Sequence, residues 1–445
     1  MRVLILGLGQ YPQGSGVAAA LYFAKKKDEV IVTDVKDATA LRDNVNQLKK
    51  FMNVRLRLGR EDEKDLDGVS LVVRNPRVRD DNTIIREAKK RGIAIESDVS
   101  LFLRQCPATV IGVTGTRGKS TTTALLAEML KAWKKKKVWM GGNILVSPLT
   151  FMRRVKAEDL VVLELSSWQL EATGAAGLSP HIALWTNLMR DHLNTYPDMA
   201  AYAEAKAQIF RHQKPDDIVV LPNDKTFNAY AQSAPGRVAR FGKASSREAK
   251  LVKSVKMKLE GAHNIENAMA ATAVALEAGV SASVIKKVLR TFEGLPNRQE
   301  VIRVFQGVTY VNDTTSTTPD ATIVALKRFS SFLENQKQRK GTIHLIFGGA
   351  DKELEFDEVA KEIKKKKIRV VVLAGTAEKK IAKAFKTAGV PLQVVTSLKQ
   401  ALDACLAQVK KGDTVLLSPG CASFGMFKNE FDRGEQFVKL VKALK

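Results

Sequence analysis

The residues best suited to chemistry lie in a glycine-rich loop that runs from Gly112 to Ser120. A strand-like apolar run precedes this loop, and a segment with helical periodicity follows it. Glycines let a backbone wrap around an anion, and the free N–H groups at a helix start favour phosphate oxygens. Lys119 would reach the β- and γ-phosphates, and the Ser120 hydroxyl would ligate Mg²⁺. The strict Walker spacing would put its first glycine at Val113, yet the order of strand, glycines, Lys-Ser and helix predicts nucleotide binding.

A second glycine-rich loop follows the first predicted strand. Gly7 and Gly9 begin a dinucleotide-type fingerprint, but Pro12 occupies its third glycine position and the loop is longer than usual. Asp34 ends the second predicted strand, where an acidic residue would meet a ribose hydroxyl. These residues favour a nucleotide-like anion at this sheet edge over NAD.

Polar side chains follow other predicted strands of the middle region. Glu164 ends a buried-looking strand whose carboxyl end should face the phosphate loop, and a carboxylate there suits Mg²⁺. The alternative for Glu164 is a solvated strand end. An isolated pair such as Asp191 and His192 more often has a structural role than a catalytic one. Asn264 and Asn267 begin a helix and could be mere capping residues.

The order of predicted elements indicates an α/β protein of three domains, because strands and helices alternate nearly throughout the 445 residues. Short joints at 105–107 and 294–298 give predicted domains of 1–106, 107–297 and 298–445. The predicted strands lie at 3–6, 30–33, 71–73, 109–113, 160–165, 181–185, 218–221, 308–311, 343–347, 370–373 and 414–417.

Composition narrows the class of protein. The net charge of +25 would attract polyanions, but basic and aromatic residues do not alternate as they do in single-strand binders, so we expect no specific nucleic-acid partner. Lysine runs at 25–27, 134–137 and 364–367 fall where helices give way to strands, which indicates solvated loops in place of the usual glycine caps. Scattered cysteines, no long apolar run and no leader-like start predict a cytoplasmic protein without a membrane span.

Ten motifs in one order resemble the Mur ligase superfamily over essentially the whole chain. They are GVTGTRGKST, GGN at 141–143, LELSSWQLE, NLMRDHLNTYP, YAEAKAQIF, GAHNIENAMAA, GLPNRQE, VNDTTSTTPDAT, GGADK and LLSPGCASFGMFKNEFDRG. The last motif most resembles the D-glutamate-adding branch of that family.

The resemblance implies a Rossmann-like N-terminal domain that holds UDP, a central P-loop ATPase-type parallel sheet and a Rossmann-like C-terminal domain for the amino acid. It implies an ATP-dependent amide ligase that adds D-glutamate to UDP-N-acetylmuramoyl-L-alanine through an acyl phosphate, in peptidoglycan precursor synthesis. The implied cofactors are ATP and two Mg²⁺ ions. We expect small-molecule partners only and a monomer.

The resemblance also implies roles for individual residues. Positions matching the nucleotide site are Gly115, Thr116, Gly118, Lys119, Ser120, Thr121, Asn264, Asn267, Arg298 and Asp313. Those matching metal contacts are Ser120, Glu164, His192 and Lys206. Lys119, His192 and Lys206 would be catalytic, with Lys206 carbamylated, although from the residues alone Lys206 would count as a solvated helix lysine. Positions assigned to the other substrates are Gly9, Gln10, Asp34, Asn143, Thr317, Lys352, Ser423 and Phe431.

Departures from the family pattern concentrate in the amino-acid site. Thr315 stands where D-glutamate enzymes carry lysine, and Glu430 stands where phenylalanine is expected, with Phe431 following it. The amino acid therefore stays open, and so do the uracil contacts in the longer first loop. The alternatives are a sister ligase adding another amino acid, a folylpolyglutamate-type ligase and, from another class, a nucleic-acid-dependent P-loop ATPase.

Overall fold

The chain folds into two compact units, Met1–Phe292 and Glu293–Lys445. The computed structural model describes residues 1–191, 195–259, 261–335, 341–423 and 425–444. Unit one contains two sheets and unit two contains one. Among the described residues, no helix has the length and apolar character needed to cross a membrane.

The first sheet is parallel and has the strand order β3-β2-β1-β4-β5. Its strands are β1 (Arg2–Leu6), β2 (Glu29–Asp34), β3 (Val54–Leu58), β4 (Leu71–Arg74) and β5 (Ala94–Glu96). Its helices are α1 (Ser15–Lys25), α2 (Arg42–Leu48), α3 (Thr83–Lys90) and α4 (Asp98–Gln105). The chain reverses its direction of travel across the sheet at β1, so the loop after β1 lies at a switch point where such sheets bind ligands.

The second sheet is also parallel, in the order β11-β10-β9-β6-β8-β7. Its strands are β6 (Thr109–Thr114), β7 (Val138–Gly142), β8 (Leu160–Glu164), β9 (Ile182–Trp185), β10 (Ile218–Pro222) and β11 (Arg237–Phe241). Its helices are α5 (Lys119–Trp133), α6 (Ser167–Ala175), α7 (Met199–Ala207), α8 (Asn228–Gln232), α9 (Arg247–Lys253), α10 (Ala262–Glu277) and α11 (Ala282–Thr291). β6 pairs with both β8 and β9, so the carboxyl ends of these three strands meet at one edge.

The third sheet forms unit two, in the order β12-β13-β17-β14-β15-β16. Its strands are β12 (Glu300–Phe305), β13 (Val308–Asn312), β14 (Ile343–Gly348), β15 (Arg369–Leu373), β16 (Leu392–Val395) and β17 (Thr414–Leu417). Its helices are α12 (Pro319–Asn335), α13 (Asp357–Lys365), α14 (Glu378–Ala388), α15 (Leu398–Leu406) and α16 (Glu430–Lys442). Only the β12–β13 hairpin is antiparallel among the pairs described.

The predicted α/β class with three mainly parallel sheets is confirmed. Every predicted strand is present, and each is an interior strand of its sheet. The strands that the sequence pattern missed are the six sheet edges: β3, β5, β7, β11, β12 and β16. The predicted boundaries near residues 106 and 297 separate the three sheets, although the first two sheets share one unit, so the three domain ranges stay predictions. Phe102 of α4 and Phe151 join those two sheets, with ring centroids 5.7 Å apart.

The lysine runs occupy backbone positions that usually require glycine. Lys27, Lys134 and Lys367 follow α1, α5 and α13 and have left-handed φ angles of 65°, 57° and 52°. These lysines therefore end the helices in the conformation that a glycine cap would adopt more readily.

Candidate functional site

The phosphate loop joins the end of β6 to the start of α5. Gly115 and Gly118 have φ angles of 151° and 76°. A Cβ atom on Gly115 would lie 2.0 Å from Thr186 Oγ1, and one on Gly118 would lie 2.0 Å from Asn267 Oδ1. Both positions therefore need glycine. Helix α5 starts without a side-chain cap, so its first N–H groups can serve an anionic ligand.

Asn187, directly after β9, fixes the shape of the phosphate loop. The amides of Thr116 and Arg117 donate to its Oδ1 at 3.1 and 2.9 Å, and its Nδ2 donates to the carbonyl of Arg117 at 3.0 Å. This residue lies within one of the quoted motifs, but sequence reasoning gave it no role. Asn187 follows a strand that lies next to β6, and that position in the sequence could have indicated a role at the phosphate loop.

Two lysine ammonium groups converge on the phosphate loop. Lys119 Nζ donates to the carbonyls of Gly115 and Thr116 at 2.9 and 3.0 Å. Lys206 Nζ, from α7, donates to the same Gly115 carbonyl at 3.0 Å. Lys206 is only 1% exposed, so the solvated-lysine reading is wrong. Helix α7 packs against α6 and carries this side chain to the loop.

The surroundings of Lys206 favour a neutral amine. Burial and then the charge of Lys119 lower the pKa of Lys206 to about 6, and Asp191 and Glu164 oppose this only in part. Its Nζ lies 4.5 Å from the centre of the Tyr202 ring. Burial also raises the pKa of Tyr202 to about 12, so this neighbour offers no negative charge.

Glu164 ends β8 beside the phosphate loop and is 1% exposed. Asn143 Nδ2 donates to its Oε1 at 2.8 Å. The buried Oε2 atom has no hydrogen-bond partner among the described residues. A buried carboxylate oxygen without a donor suits a divalent cation, and the buried Ser120 hydroxyl at the start of α5 adds a second oxygen of the kind Mg²⁺ prefers.

The described residues supply only part of a metal site. Within these residues, no cluster of three or more His, Cys, Asp or Glu side chains could hold a metal ion. The predicted ligand His192 lies outside the described residues. Thr121, predicted to contact the nucleotide, lies in the first turn of α5 next to Ser120. Of the predicted metal contacts, Glu164 and Ser120 are the two described residues with an oxygen that could bind Mg²⁺.

Two asparagines of α10 reach the phosphate loop. Asn267 Oδ1 accepts from Thr122 Oγ1 at 3.3 Å, and Asn267 Nδ2 donates to Asn264 Oδ1 at 3.3 Å. Helix α10 is capped at Gly261, which has no side chain, so the capping role considered for these asparagines is not what the structure shows. Both are buried, and Asn267 lies beside Gly118.

The first sheet places a second group of predicted residues together. Gly9 N donates to Asp34 Oδ2 at 3.1 Å, and Lys36 N donates to Asp34 Oδ1 at 2.9 Å. Asn44 Nδ2, which sequence reasoning missed, donates to the Gly9 carbonyl at 2.6 Å. Gln10 is exposed at the tip of the loop. Helix α1 has Gly14 as its N-cap and no side-chain cap, like α5, so its first N–H groups can serve an anion.

Unit two carries its own polar centre, around the buried Asp313 at the end of β13. Its Oδ2 accepts from Ser316 Oγ at 2.6 Å and Ser418 Oγ at 2.8 Å, and its Oδ1 accepts from Gln299 N at 3.1 Å. Burial raises the pKa of Asp313 to about 6, despite these donors and the charge of Arg298. The predicted positions Arg298 and Asp313 are thus brought together.

The residues predicted for the amino-acid site lie around the same sheet edge. Lys352 is exposed after β14, Ser423 is buried after β17, and Phe431 lies in the first turn of α16. Thr317 follows β13, and its amide donates to the Thr315 carbonyl at 3.0 Å. These positions share one end of the third sheet because parallel strands align their carboxyl ends.

Both departures from the family pattern are hydrogen-bonded, Thr315 through its side chain and Glu430 through its backbone. Thr315 Oγ1 donates to the Asn297 carbonyl at 2.9 Å, and the carbonyl of Glu430 accepts from Thr314 Oγ1 at 2.7 Å. Arg433 of α16, which sequence reasoning missed, is fully buried and donates to Thr314 O at 2.9 Å. Burial lowers the pKa of Arg433 to about 10, and its guanidinium holds this loop together.

Family comparisons cover nearly the whole chain. The Mur ligase MurD-like N-terminal domain matches residues 1–97, the Mur ligase middle domain matches residues 113–275, and the Mur ligase glutamate ligase domain matches residues 297–421. The MurF ligase of Thermotoga maritima, solved in complex with ADP, has the same fold. That comparison gives a TM-score of 0.60 at 20% identity and covers 100% of this chain and 99% of the other.

Two full-length relatives carry the same name, UDP-N-acetylmuramoylalanine--D-glutamate ligase. The protein from Roseiflexus sp. (strain RS-1) is 38% identical over 474 residues, which cover 99% of this chain and 98% of the relative. The protein from Acetivibrio thermocellus is 33% identical over 470 residues, covering 100% of this chain and 96% of the relative. By its sequence, its fold and the loop it builds for a nucleotide, this chain belongs to the Mur ligase family.

Proposed function

We propose that the protein is an ATP-dependent ligase that joins D-glutamate to UDP-N-acetylmuramoyl-L-alanine in the synthesis of peptidoglycan precursors. The observation that carries the proposal is the phosphate loop. Lys119 and the buried Lys206 share one of its carbonyls, and the half-partnered Glu164 lies beside it. Full-length relatives named for this activity support the choice of reaction. The sister ligases and the folate-type ligase are the nearest alternatives.

ATP would bind with its phosphates on the loop between Gly115 and Ser120. The N–H groups at the start of α5 would donate to phosphate oxygens. Lys119 Nζ, which now donates to two loop carbonyls, would turn to the β- and γ-phosphates, and a grip at that end favours transfer of the γ-phosphoryl group. Asn264 and Asn267 would line the nucleotide side. The nucleotide roles of Arg298 and Asp313 stay predictions.

Mg²⁺ fits the oxygen atoms that the structure leaves available. Ser120 and Glu164 would hold it, with His192 and a modified Lys206 as the remaining predicted contacts of a two-ion site. When bound, Mg²⁺ would neutralise negative charge on the phosphates. Asn143, by donating to Glu164 Oε1, keeps the other carboxylate oxygen free for this role.

Lys206 is suited to carbamylation. Its neutral amine would attack CO₂, form an N–C bond and release one proton, so that a neutral group becomes an anion. The reaction needs a neutral amine, and a pKa of about 6 provides one at neutral pH. The product would place carboxylate oxygens next to the Gly115 carbonyl, to which Lys119 and Lys206 now both donate.

The reaction would proceed in two steps. The carboxylate of the alanyl acceptor attacks the γ-phosphorus of ATP, which forms an acyl phosphate and releases ADP. The amine of D-glutamate then attacks the acyl carbon, and inorganic phosphate and a proton leave. Lys119 would balance charge on the transferring phosphoryl group, and most of the remaining rate enhancement would come from positioning. We place the acceptor's UDP at Gly9, Gln10 and Asp34.

The second substrate would bind in unit two. We place glutamate at the edge of the third sheet, near Thr317, Lys352, Ser423 and Phe431. Thr315 carries no charge and its hydroxyl donates to a backbone carbonyl, so Lys352 is the predicted cation for a glutamate carboxylate. We further propose that the enzyme acts as a monomer in the cytoplasm.

Phosphate release tests the reaction class. The purified protein should release phosphate from ATP only when UDP-N-acetylmuramoyl-L-alanine and glutamate are both present. Parallel reactions with a reduced folate acceptor and with single- or double-stranded nucleic acid represent the alternatives. Release that depends on folate, DNA or RNA and ignores the UDP-linked acceptor would refute the proposed function.

A further inference from the structure

The turn after β7 contains a strained residue. Gly142 N donates to the Val146 carbonyl at 2.7 Å, which closes a tight turn, and within it Leu145 has a φ of 66°. A branched apolar residue disfavours this left-handed region, because its Cβ crowds the backbone. Something outside the turn must therefore hold it in this conformation.

Ser147 provides two such contacts. Its amide donates to the Gln13 carbonyl at 2.8 Å, and its Oγ donates to Asp98 Oδ2 at 2.6 Å. Ser147 is 2% exposed and Asp98 is 1% exposed. Gln13 belongs to the acceptor loop, residues 7–14, and Asp98 begins α4. The strained turn is thus anchored to the domain proposed to hold the acceptor.

The other end of the turn holds Glu164. Asn143 N donates to the Glu164 carbonyl at 2.8 Å, while Asn143 Nδ2 donates to Glu164 Oε1 at 2.8 Å. Gly142 lies so close that a Cβ there would be 2.1 Å from the Glu164 carbonyl oxygen. A shift of the turn would therefore move the amide that orients the Glu164 carboxylate.

We propose that Ser147 is a positioning residue that couples the acceptor loop to Glu164 through the strained turn at Leu145. Acceptor binding orders the loop that contains Gln13, and the Ser147 contacts transmit that order to Asn143 and hence to the free Glu164 oxygen. Coupling between two sites is reciprocal, so Mg²⁺ must tighten acceptor binding by the factor by which the acceptor tightens Mg²⁺ binding. This inference rests on the proposed function.

Calorimetric titration of UDP-N-acetylmuramoyl-L-alanine into the enzyme measures this factor directly. The titration is made with a non-hydrolysable ATP analogue, with and without Mg²⁺. For the unmodified protein we expect Mg²⁺ to lower the acceptor Kd about fivefold, at the low end of common coupling factors. Ser147→Ala keeps the backbone contact with Gln13 but removes the Asp98 anchor that holds the strained turn, and it should bring that ratio close to one. Ser246→Ala removes a serine cap from the remote helix α9 and should leave the ratio unchanged.

Three further variants separate positioning from general stability. Asp98→Ala removes the acceptor of the Ser147 hydroxyl and should lose the coupling, whereas Asp98→Asn keeps an oxygen there and should retain it. If Ser147→Ala fails to fold, the two Asp98 variants still test the same contact. Adding Leu145→Gly to Ser147→Ala should recover at least half of the coupling, because glycine adopts the left-handed conformation without an anchor. A purely structural role would not give that rescue.

The outcomes distinguish the two proposals. An active ligase whose Mg²⁺ coupling survives in both Ser147→Ala and Asp98→Ala would overturn the positioning role alone. So would an active ligase with no coupling in the unmodified protein, or a double variant no better coupled than Ser147→Ala. If phosphate release never depends on the acceptor, the proposed function fails and the inference fails with it.

Discussion

Lys119 and Lys206 donate to the same carbonyl oxygen, that of Gly115, at 2.9 and 3.0 Å. Burial, and then the charge of Lys119, lowers the pKa of Lys206 to about 6. The arrangement therefore suits two different roles: Lys206 is a neutral, reactive amine, and Lys119 is the predicted phosphate contact.

Replacing Lys119 tests the phosphate role. Lys119→Ala should reduce turnover by at least about 100-fold, because a positioned charge on the transition state is worth several kcal/mol. The fold should stay intact, as judged by circular dichroism. Lys131→Ala, at an exposed position of the same helix, is the matched control and should keep normal turnover. Near-normal phosphate release by Lys119→Ala would refute the phosphate-loop assignment.

Replacing Lys206 tests the carbamate. Lys206→Ala should lose most activity, and acetate should restore part of it by supplying carboxylate oxygens to the vacated space. Lys206→Arg should not respond to acetate, because a cation still fills the space. Lys214→Ala, at an exposed position, should behave like the unmodified protein. If Lys206→Ala remains fully active without acetate, carbamylation plays no part in catalysis.

The pH profile gives an independent check on Lys206. A folded-state pKa of about 6, below the ordinary value of 10.5, leaves the amine neutral above pH 6 and protonated below it. Activity should therefore fall as pH drops through about 6, because protonation prevents carbamate formation. The acetate-rescued Lys206→Ala enzyme should lack this acid limb in its kcat profile. If the rescued variant still loses activity at acidic pH, the loss comes from another titrating group, such as Asp313.

Replacing Lys134, at the end of α5, with glycine should stabilise the protein. Lys134 has a φ of 57°, and glycine adopts that conformation without the Cβ penalty. Lys134→Gly should raise the free energy of unfolding by about 0.5–1 kcal/mol in urea denaturation, because the left-handed penalty it removes exceeds the entropy cost of glycine. Lys135→Gly, next to it but without a left-handed φ, is the matched control and should bring no gain. Equal effects of the two changes would remove the conformational explanation.

Whether a strand could be predicted from the sequence depended on how deeply it is buried. Interior strands such as 109–113 and 343–347 are buried on both faces and read as continuous apolar runs. Edge strands such as Val54–Leu58 and Glu300–Phe305 have one partner and mix charged with apolar residues, so they lack the continuous apolar run of an interior strand. Val54–Leu58 does alternate apolar with charged residues, which was a signal for a half-buried strand. The sequence therefore predicted the centre of each sheet and missed both of its edges.

The same distinction applies to the site. Lys119 and Ser120 follow a local motif, so their positions could be predicted from neighbouring residues. The burial of Lys206 depends on how α7 packs, and the contact of Ser147 with Gln13 joins residues far apart in the chain. Neither has a local signal: the burial of Lys206 and the anchoring of Ser147 became visible only in the folded chain.

Product analysis of a single reaction tests the proposed ligase activity most directly. UDP-N-acetylmuramoyl-L-alanine, ATP and Mg²⁺ are incubated with the enzyme and one amino acid at a time, including both enantiomers of glutamate, and the nucleotide product is identified by mass spectrometry. The proposed function predicts a product one glutamyl residue heavier, formed with D-glutamate and not with L-glutamate or other amino acids. A product formed with a different amino acid, or none under conditions where ATP is consumed, would contradict it.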